Sequence, residues 1–154
     1  MKRRPAGGSQ RTPDVAPVLA ELRRLATRRT LEGMTRYGIP SERAFGVSVG
    51  DIQRLARRLG TDHALAAALW RSGWYEARML AAFLDDPARV TPAQMERWAR
   101  DCDSWALVDT LCFKLFDRVP NAWDMVAPWC RRPEEFVRRS GFALLASLAL
   151  HDRA

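Results

Sequence analysis

The ten residues Tyr75-Glu76-Ala77-Arg78-Met79-Leu80-Ala81-Ala82-Phe83-Leu84 return in weakened form as Phe136-Val137-Arg138-Arg139-Ser140-Gly141-Phe142-Ala143-Leu144-Leu145. About halfway between them stands Asp103-Ser104-Trp105-Ala106-Leu107-Val108-Asp109-Thr110-Leu111-Cys112. The spacing implies a period near thirty residues, enough for one helical hairpin per repeat. A hairpin cannot bury both its faces alone, so successive copies stack into a solenoid with one concave face suited to cradling something long. A plain helical bundle is the competing architecture.

Working outward, helix start and stop signals recur at hairpin intervals. Thr12-Pro13-Asp14 predicts a first helix from about Pro13 to Arg29, continued by a short helix over Leu31 to Arg36 and broken by Gly38-Ile39-Pro40. Ser48 to Asp51 caps a helix that carries Ile52, Leu55, Ala56 and Leu59 on one face and Arg54, Arg57 and Arg58 on the other. Thr61 is expected to cap a helix from Asp62 to Arg71, with its antiparallel partner over Trp74 to Leu84. Thr91-Pro92 opens a helix to about Arg100, and Asp103-Ser104 caps one that runs to about Asp117. Helices over Asn121 to Cys130 and Pro133 to Leu150 complete the chain, and no stretch of useful length alternates with the period of a strand. The fold class is therefore all-α, an α-solenoid of antiparallel hairpins over residues 13–154, preceded by a loose basic arm over 1–12 that is too poor in apolar residues to order itself.

Bulk properties fit one domain. A chain of 154 residues, 47% hydrophobic, can build one core but not two comfortable ones. The formal charge of +7 and a pI near 10.3 favour an anionic partner, nucleic acid before membrane. Arginine supplies nearly all of it, since Lys2 and Lys114 are the only lysines. Cys102, Cys112 and Cys130 are odd in number and lack metal-site spacing, and only His63 and His151 accompany them, so neither a disulfide framework nor a zinc site is encoded. That usage, with no apolar run long enough to span a bilayer and no signal-peptide core before Arg11, leads to the expectation of a reduced, cytoplasmic, nucleoid-associated protein.

Chemistry concentrates on two helices. At about 100° per residue, Trp105, Asp109, Cys112 and Phe116 share one stripe, which sets the Asp109 carboxylate among apolar neighbours. A charge in such a place requires a hydrogen bond or an opposite charge. Arg138 and Arg139 lie in an equally apolar helix about thirty residues on and need an anion, either an acid such as Glu134 or Glu135 or a phosphate. Apolar side chains from Phe136 to Leu150 encircle that helix, which is expected to be covered on more than one side, by further repeats or by weak self-association. Trp70, Trp74, Trp98, Trp123 and Trp129 are read as packing, the cysteines as small core residues, and His63 as solvent-facing.

These strings resemble the DNA alkylation repair glycosylases built from HEAT-like repeats, the AlkD family. The likeness rests on Asp103-Ser104-Trp105 with Val108-Asp109, on Trp70-Arg71-Ser72-Gly73-Trp74-Tyr75-Glu76-Ala77-Arg78, on Phe136-Val137-Arg138-Arg139-Ser140, and on Phe45-Gly46-Val47-Ser48. It spans about residues 15 to 150, and the family pattern continues into further helices beyond it. The resemblance implies a monofunctional glycosylase that excises cationic N3- or N7-alkylated purines, such as 3-methyladenine and 7-methylguanine, from double-stranded DNA without a cofactor. On matching positions it makes Trp105 and Asp109 the catalytic pair and Arg139, second of the arginine pair, the backbone holder. Arg138, Trp74 and Arg78 complete the candidate DNA contacts. A non-catalytic DNA- or protein-binding module, or an inactive truncated copy, are the alternatives.

Overall fold

A computed structural model of the chain describes residues 12–151. The basic arm therefore lies almost wholly outside the described residues. Within them, the structure is helical with no strand: α1 Ala16–Leu25, α2 Arg28–Met34, α3 Val49–Leu59, α4 His63–Arg71, α5 Tyr75–Leu84, α6 Pro92–Asp101, α7 Trp105–Lys114, α8 Trp123–Cys130 and α9 Glu135–His151. Short 3₁₀ turns occupy Thr35–Tyr37, Ser41–Arg43 and Phe116–Arg118. Helices α3, α5, α7 and α9 stack side by side, α4 packs on α5 and α8 on α9. This is the solenoid order expected from the repeat.

The predicted long first helix is two. Ala26 and Thr27 are extended because the Thr27 amide donates to the Gly46 carbonyl at 2.8 Å while the Thr27 hydroxyl caps α2 by accepting from the Thr30 amide at 3.2 Å. A β-carbon at Gly46 would stand 2.6 Å from the Thr27 carbonyl oxygen, so this crossing needs glycine, and its φ of +94° agrees. Asp62, not Thr61, caps α4, because its carboxylate is the group that reaches the Leu65 amide at 2.9 Å. Ser104 caps α7 as expected, but the helix stops at Lys114 and tightens into the 3₁₀ turn over Phe116–Arg118.

Polar links join one repeat to the next across the apolar core. The Glu76 carboxylate, fully buried in the first turn of α5, accepts from the Phe45 amide at 2.9 Å, the Gly46 amide at 2.7 Å and the Val47 amide at 3.2 Å. It stands where a ligand would in an anion-binding loop, so the acid is built in. The Trp70 indole donates to Asp101 at 2.8 Å, and its ring stacks on Trp98 with centroids 4.2 Å apart. Trp129 is buried against Phe116 and donates to Glu96 at 2.6 Å. Trp123 departs from the packing expectation and is exposed, since it starts α8 on the side turned to solvent. His63 is not solvent-facing: its Nδ1 meets the buried Asp85 carboxylate, which also accepts from Gln94 Nε2 at 2.6 Å. Burial pushes the Asp85 carboxyl above its ordinary range, against the hydrogen bonds that His63 and Gln94 supply.

Within the described residues helix α9 is covered on one side and open on the other, the side for which further repeats or self-association were expected to supply the cover. Val137, Ala143, Leu144 and Leu148 are buried, and Gly141 packs so closely that a β-carbon there would lie 2.6 Å from the Cys130 amide nitrogen. Phe142, Leu145 and Leu150 point outward and are exposed. Asp117 ties down the far end, accepting from Ser147 Oγ at 2.7 Å and facing His151 Nδ1 at 2.6 Å.

The Glu76 clamp is the most costly of these links to lose. Replacing it by alanine strands buried amides at roughly 1–3 kcal/mol each. Glu76→Ala is expected to lower unfolding free energy by at least ~3 kcal/mol in urea denaturation, and Glu76→Gln by less, because the amide oxygen keeps part of the acceptor role.

Candidate functional site

The two helices singled out by sequence are neighbours, α7 against α9, and the expected residues meet on their solvent-facing side. Arg139 grips Asp109 with two nitrogens: Nε donates to Oδ1 at 3.1 Å and Nη2 to Oδ2 at 2.9 Å. The guanidinium also lies over the Trp105 ring, 4.8 Å from its centroid. Trp105 is itself 54% exposed, and its indole nitrogen donates to Glu135 Oε1 at 3.0 Å. A large, rigid aromatic is thus flanked by two charged groups and left more than half exposed.

The Asp109 stripe predicted a carboxylate among apolar neighbours, and its helical geometry explains the outcome. Cys112 and Phe116 turn into the core, whereas Trp105 and Asp109 lie nearer the rim, with the Asp109 side chain 42% and the Arg139 side chain 38% exposed. The anion that Arg139 required is Asp109, and the bond raises the Arg139 pKa above the ordinary arginine value. Its third nitrogen, Nη1, has no acceptor among the described residues. Arg138 is exposed and makes no ion pair among them.

Trp74 and Arg78 sit at the corresponding places one repeat earlier, yet both are engaged. Trp74 stacks on Phe45 with centroids 4.2 Å apart, under Arg23. Arg78 donates from Nη1 to the Asp101 carbonyl at 3.0 Å and lies over the Trp70 ring at 5.1 Å. The motif of a tryptophan with a charged residue four positions on is therefore repeated, but only the second copy leaves its aromatic in the open.

Glu135 and Tyr37 were missed as site residues. Glu135 could have been found by the spacing that joins Asp109 to Arg139, since it follows Trp105 by thirty residues. Tyr37 carried no such signal. It stands 79% exposed on the 3₁₀ turn after α2 and lines a cleft of about 260 Å³ with Gly38, Ser104, Trp105, Glu135 and Phe136.

Before α9, the turn that aims Glu135 and Arg139 is fixed by Arg132, whose Nη1 reaches Glu96 Oε1 at 2.8 Å and whose Nε reaches Glu134 Oε2 at 3.0 Å. The Arg132 guanidinium holds the Glu134 carboxyl at about 2, below its ordinary 4.5. Among the described residues no group of three potential metal ligands is present, and no helix is long and apolar enough to cross a membrane.

The all-helical stack of antiparallel hairpins is a HEAT-like repeat architecture, and it brings an aromatic, a carboxylate and a chelating arginine together on adjacent helices. Residues 18–153 match the family described as DNA alkylation repair enzyme, and the chain belongs to that family. A similar solved structure, described as a new family of proteins related to the HEAT-like repeat DNA glycosylases with affinity for branched DNA structures, aligns with a TM-score of 0.82 at 24% identity. The alignment covers 92% of this chain and 60% of that one, so this chain spans about three fifths of its length. No match is found among curated proteins.

The low Glu134 pKa has a definite sign. A carboxyl whose folded pKa lies below its unfolded value contributes stability that is present above about 4.5 and lost as pH falls toward about 2. The melting temperature is expected to fall across that window, and Glu134→Gln to fall less steeply, as read by thermal scans at a series of acid pH values.

Proposed function

We propose that this chain is a DNA repair protein that holds duplex DNA against α7 and α9 and releases cationic N3- or N7-alkylated purines by hydrolysing the glycosidic bond. The observation that carries the reading is the joined trio of Trp105, Asp109 and Arg139, held at the surface rather than in the core.

Alkylation places a positive charge on the purine, so the base departs without help from a general acid. As the bond from C1′ to the purine nitrogen breaks, its electron pair neutralises the base and the deoxyribose becomes the cation. What the protein must supply is negative charge at that sugar and a water on its other side. Asp109 supplies the charge, fixed in direction by its two bonds from Arg139, so little reorganisation is needed as the cation forms. The water bonds to C1′ and passes its proton through Asp109 to solvent. Trp105 offers the sugar an aromatic face, which favours the same developing charge.

Arg139 also weakens Asp109 by sitting beside it. Binding of DNA relieves this, because Nη1, which has no acceptor among the described residues, takes a phosphate oxygen, and a phosphate draws the guanidinium charge toward itself. Arg138, exposed on the next position, is a second phosphate contact, and the formal +7 of the whole chain adds long-range attraction.

A binding-only reading is favoured by the similar solved structure, which is described by affinity for branched DNA structures. The two readings separate in one assay. On duplex containing 7-methylguanine, the purified chain is expected to release free base, and Asp109→Asn to slow release by about 100-fold while duplex affinity stays within about threefold. Tight, salt-sensitive binding with no released base would leave the binding module and remove the enzyme. Arg138→Ala is expected to lower the slope of log affinity against log salt by about 0.9, the signature of one lost phosphate contact.

A further inference from the structure

The exposed stripe of α4 carries a hollow of about 310 Å³ that shares no residue with the Trp105, Asp109 and Arg139 trio. Its floor is His63, Ala64, Ala67 and Arg71, which the helical period brings to one face. Alanine at 64 and 67 leaves the space between the two larger side chains open. Arg89 enters from the loop between α5 and α6, and Thr12 from the segment before α1. Because α4 packs on α5 from the other layer, this stripe lies away from α7 and α9.

Positive charge converges on the hollow from separate places in the chain. Arg71 and Arg89 are both exposed and make no ion pair among the described residues. His63 is held more firmly. Its Nδ1 meets the Asp85 carboxylate, which is buried and also accepts from Gln94 Nε2 at 2.6 Å. Turning the ring would take a partner from a buried acid, so Nε2 is the nitrogen left for the hollow. The nearby acids are occupied by backbone: Asp62 accepts from the Leu65 amide at 2.9 Å, Asp86 from the Ala88 amide at 3.0 Å and Asp14 from the Ala16 amide at 3.0 Å. None of them meets either arginine.

We propose that this hollow is a phosphate-binding site. Two guanidinium groups offer forked N–H donors to phosphate oxygens, and the doubly protonated His63 ring adds Nε2–H as a further donor. Donors that arrive from the start of α4, from its end and from a neighbouring loop suit a tetrahedral group with oxygens on every side better than a planar carboxylate. The phosphate belongs either to a nucleic-acid backbone or to a free phosphate or nucleotide. A backbone bound here is a second DNA segment, because a duplex held against α7 and α9 lies on the other layer, and one chain then links two segments.

The chain has two histidines, so the site has its own reporter. In the full chain, the His63 imidazole resonance, identified by its loss in His63→Gln or its persistence in His151→Gln, is followed at mildly acidic pH, which favours the doubly protonated ring. Inorganic phosphate, a short DNA duplex and sodium chloride at matched ionic strength are added in separate titrations. Inorganic phosphate is expected to shift the resonance saturably and chloride is not. The double variant Arg71→Gln with Arg89→Gln is expected to weaken that response about fivefold or more, with the melting temperature unchanged because both side chains are exposed and unpaired among the described residues. A duplex response that falls in the same double variant and survives Arg138→Ala assigns the hollow to a nucleic-acid backbone. A response to inorganic phosphate with none to duplex assigns it to a free phosphate or nucleotide. No saturable response to either probe, an equal response to chloride, or a response unaltered in the double variant would overturn the site. Base release plays no part in the readout, so the hollow and the glycosylase reading stand or fall separately.

Discussion

The separation of about thirty residues between polar partners is the constraint on which the structure depends. Glu76 reaches back to the amides of residues 45–47, Trp70 reaches forward to Asp101, Trp105 to Glu135, Asp109 to Arg139, and Asp117 to Ser147. Apolar burial drives the hairpins together but is indifferent to small slides of one helix along the next. A buried carboxylate with three amide partners is not indifferent, because a slide of one residue would strand all of them. These links fix the register, and the register decides which side chains arrive opposite one another on the open side.

The Asp109–Arg139 pair shows how one spacing serves both fold and chemistry. As an ion pair with both side chains more than a third exposed it contributes little to stability, because solvent screens it. Its geometry is nonetheless specific, with two parallel hydrogen bonds and a guanidinium stacked on Trp105. The preceding repeat places Arg78 at the same position and uses it differently, to cap the Asp101 carbonyl and cover Trp70. Identical register with opposite charge at that position, arginine in one repeat and aspartate in the next, is what allows α7 to present an acid where α5 and α9 present a base. We read that alternation as the origin of the site.

Much of this was legible before any coordinates. The period near thirty followed from the likeness of 75–84 to 136–145, and the caps Ser48, Thr91 and Ser104 were readable because a hydroxyl side chain before an apolar run has one common use. Trp105, Asp109 and the arginine pair were legible as charges and aromatics in helices that had no core role for them. The break at Ala26 and Thr27 was not, since its cause lies at Gly46, far along the chain. His63 was misjudged for the same reason: its partner Asp85 comes from the end of α5. The excess apolar surface of α9 was legible, but not which half of it meets α7 and α8, because hydrophobicity around a full wheel gives no sign of that. Tyr37 lines the cleft only because its 3₁₀ turn faces the starts of α7 and α9 across it, which no local pattern records.

The central claim is that Asp109 stabilises positive charge on a deoxyribose held against the open part of Trp105. The most direct measurement compares affinity for duplex DNA carrying a cationic azasugar with affinity for duplex carrying a neutral abasic sugar of the same shape, in the unaltered chain and in Asp109→Asn. Because a mimic of the transition state gathers the interactions that form only there, the unaltered chain is predicted to prefer the cationic sugar by about tenfold or more, and Asp109→Asn to lose that preference while still binding the neutral duplex. Equal affinity for the two duplexes in the unaltered chain, or a preference that survives Asp109→Asn, would contradict the account.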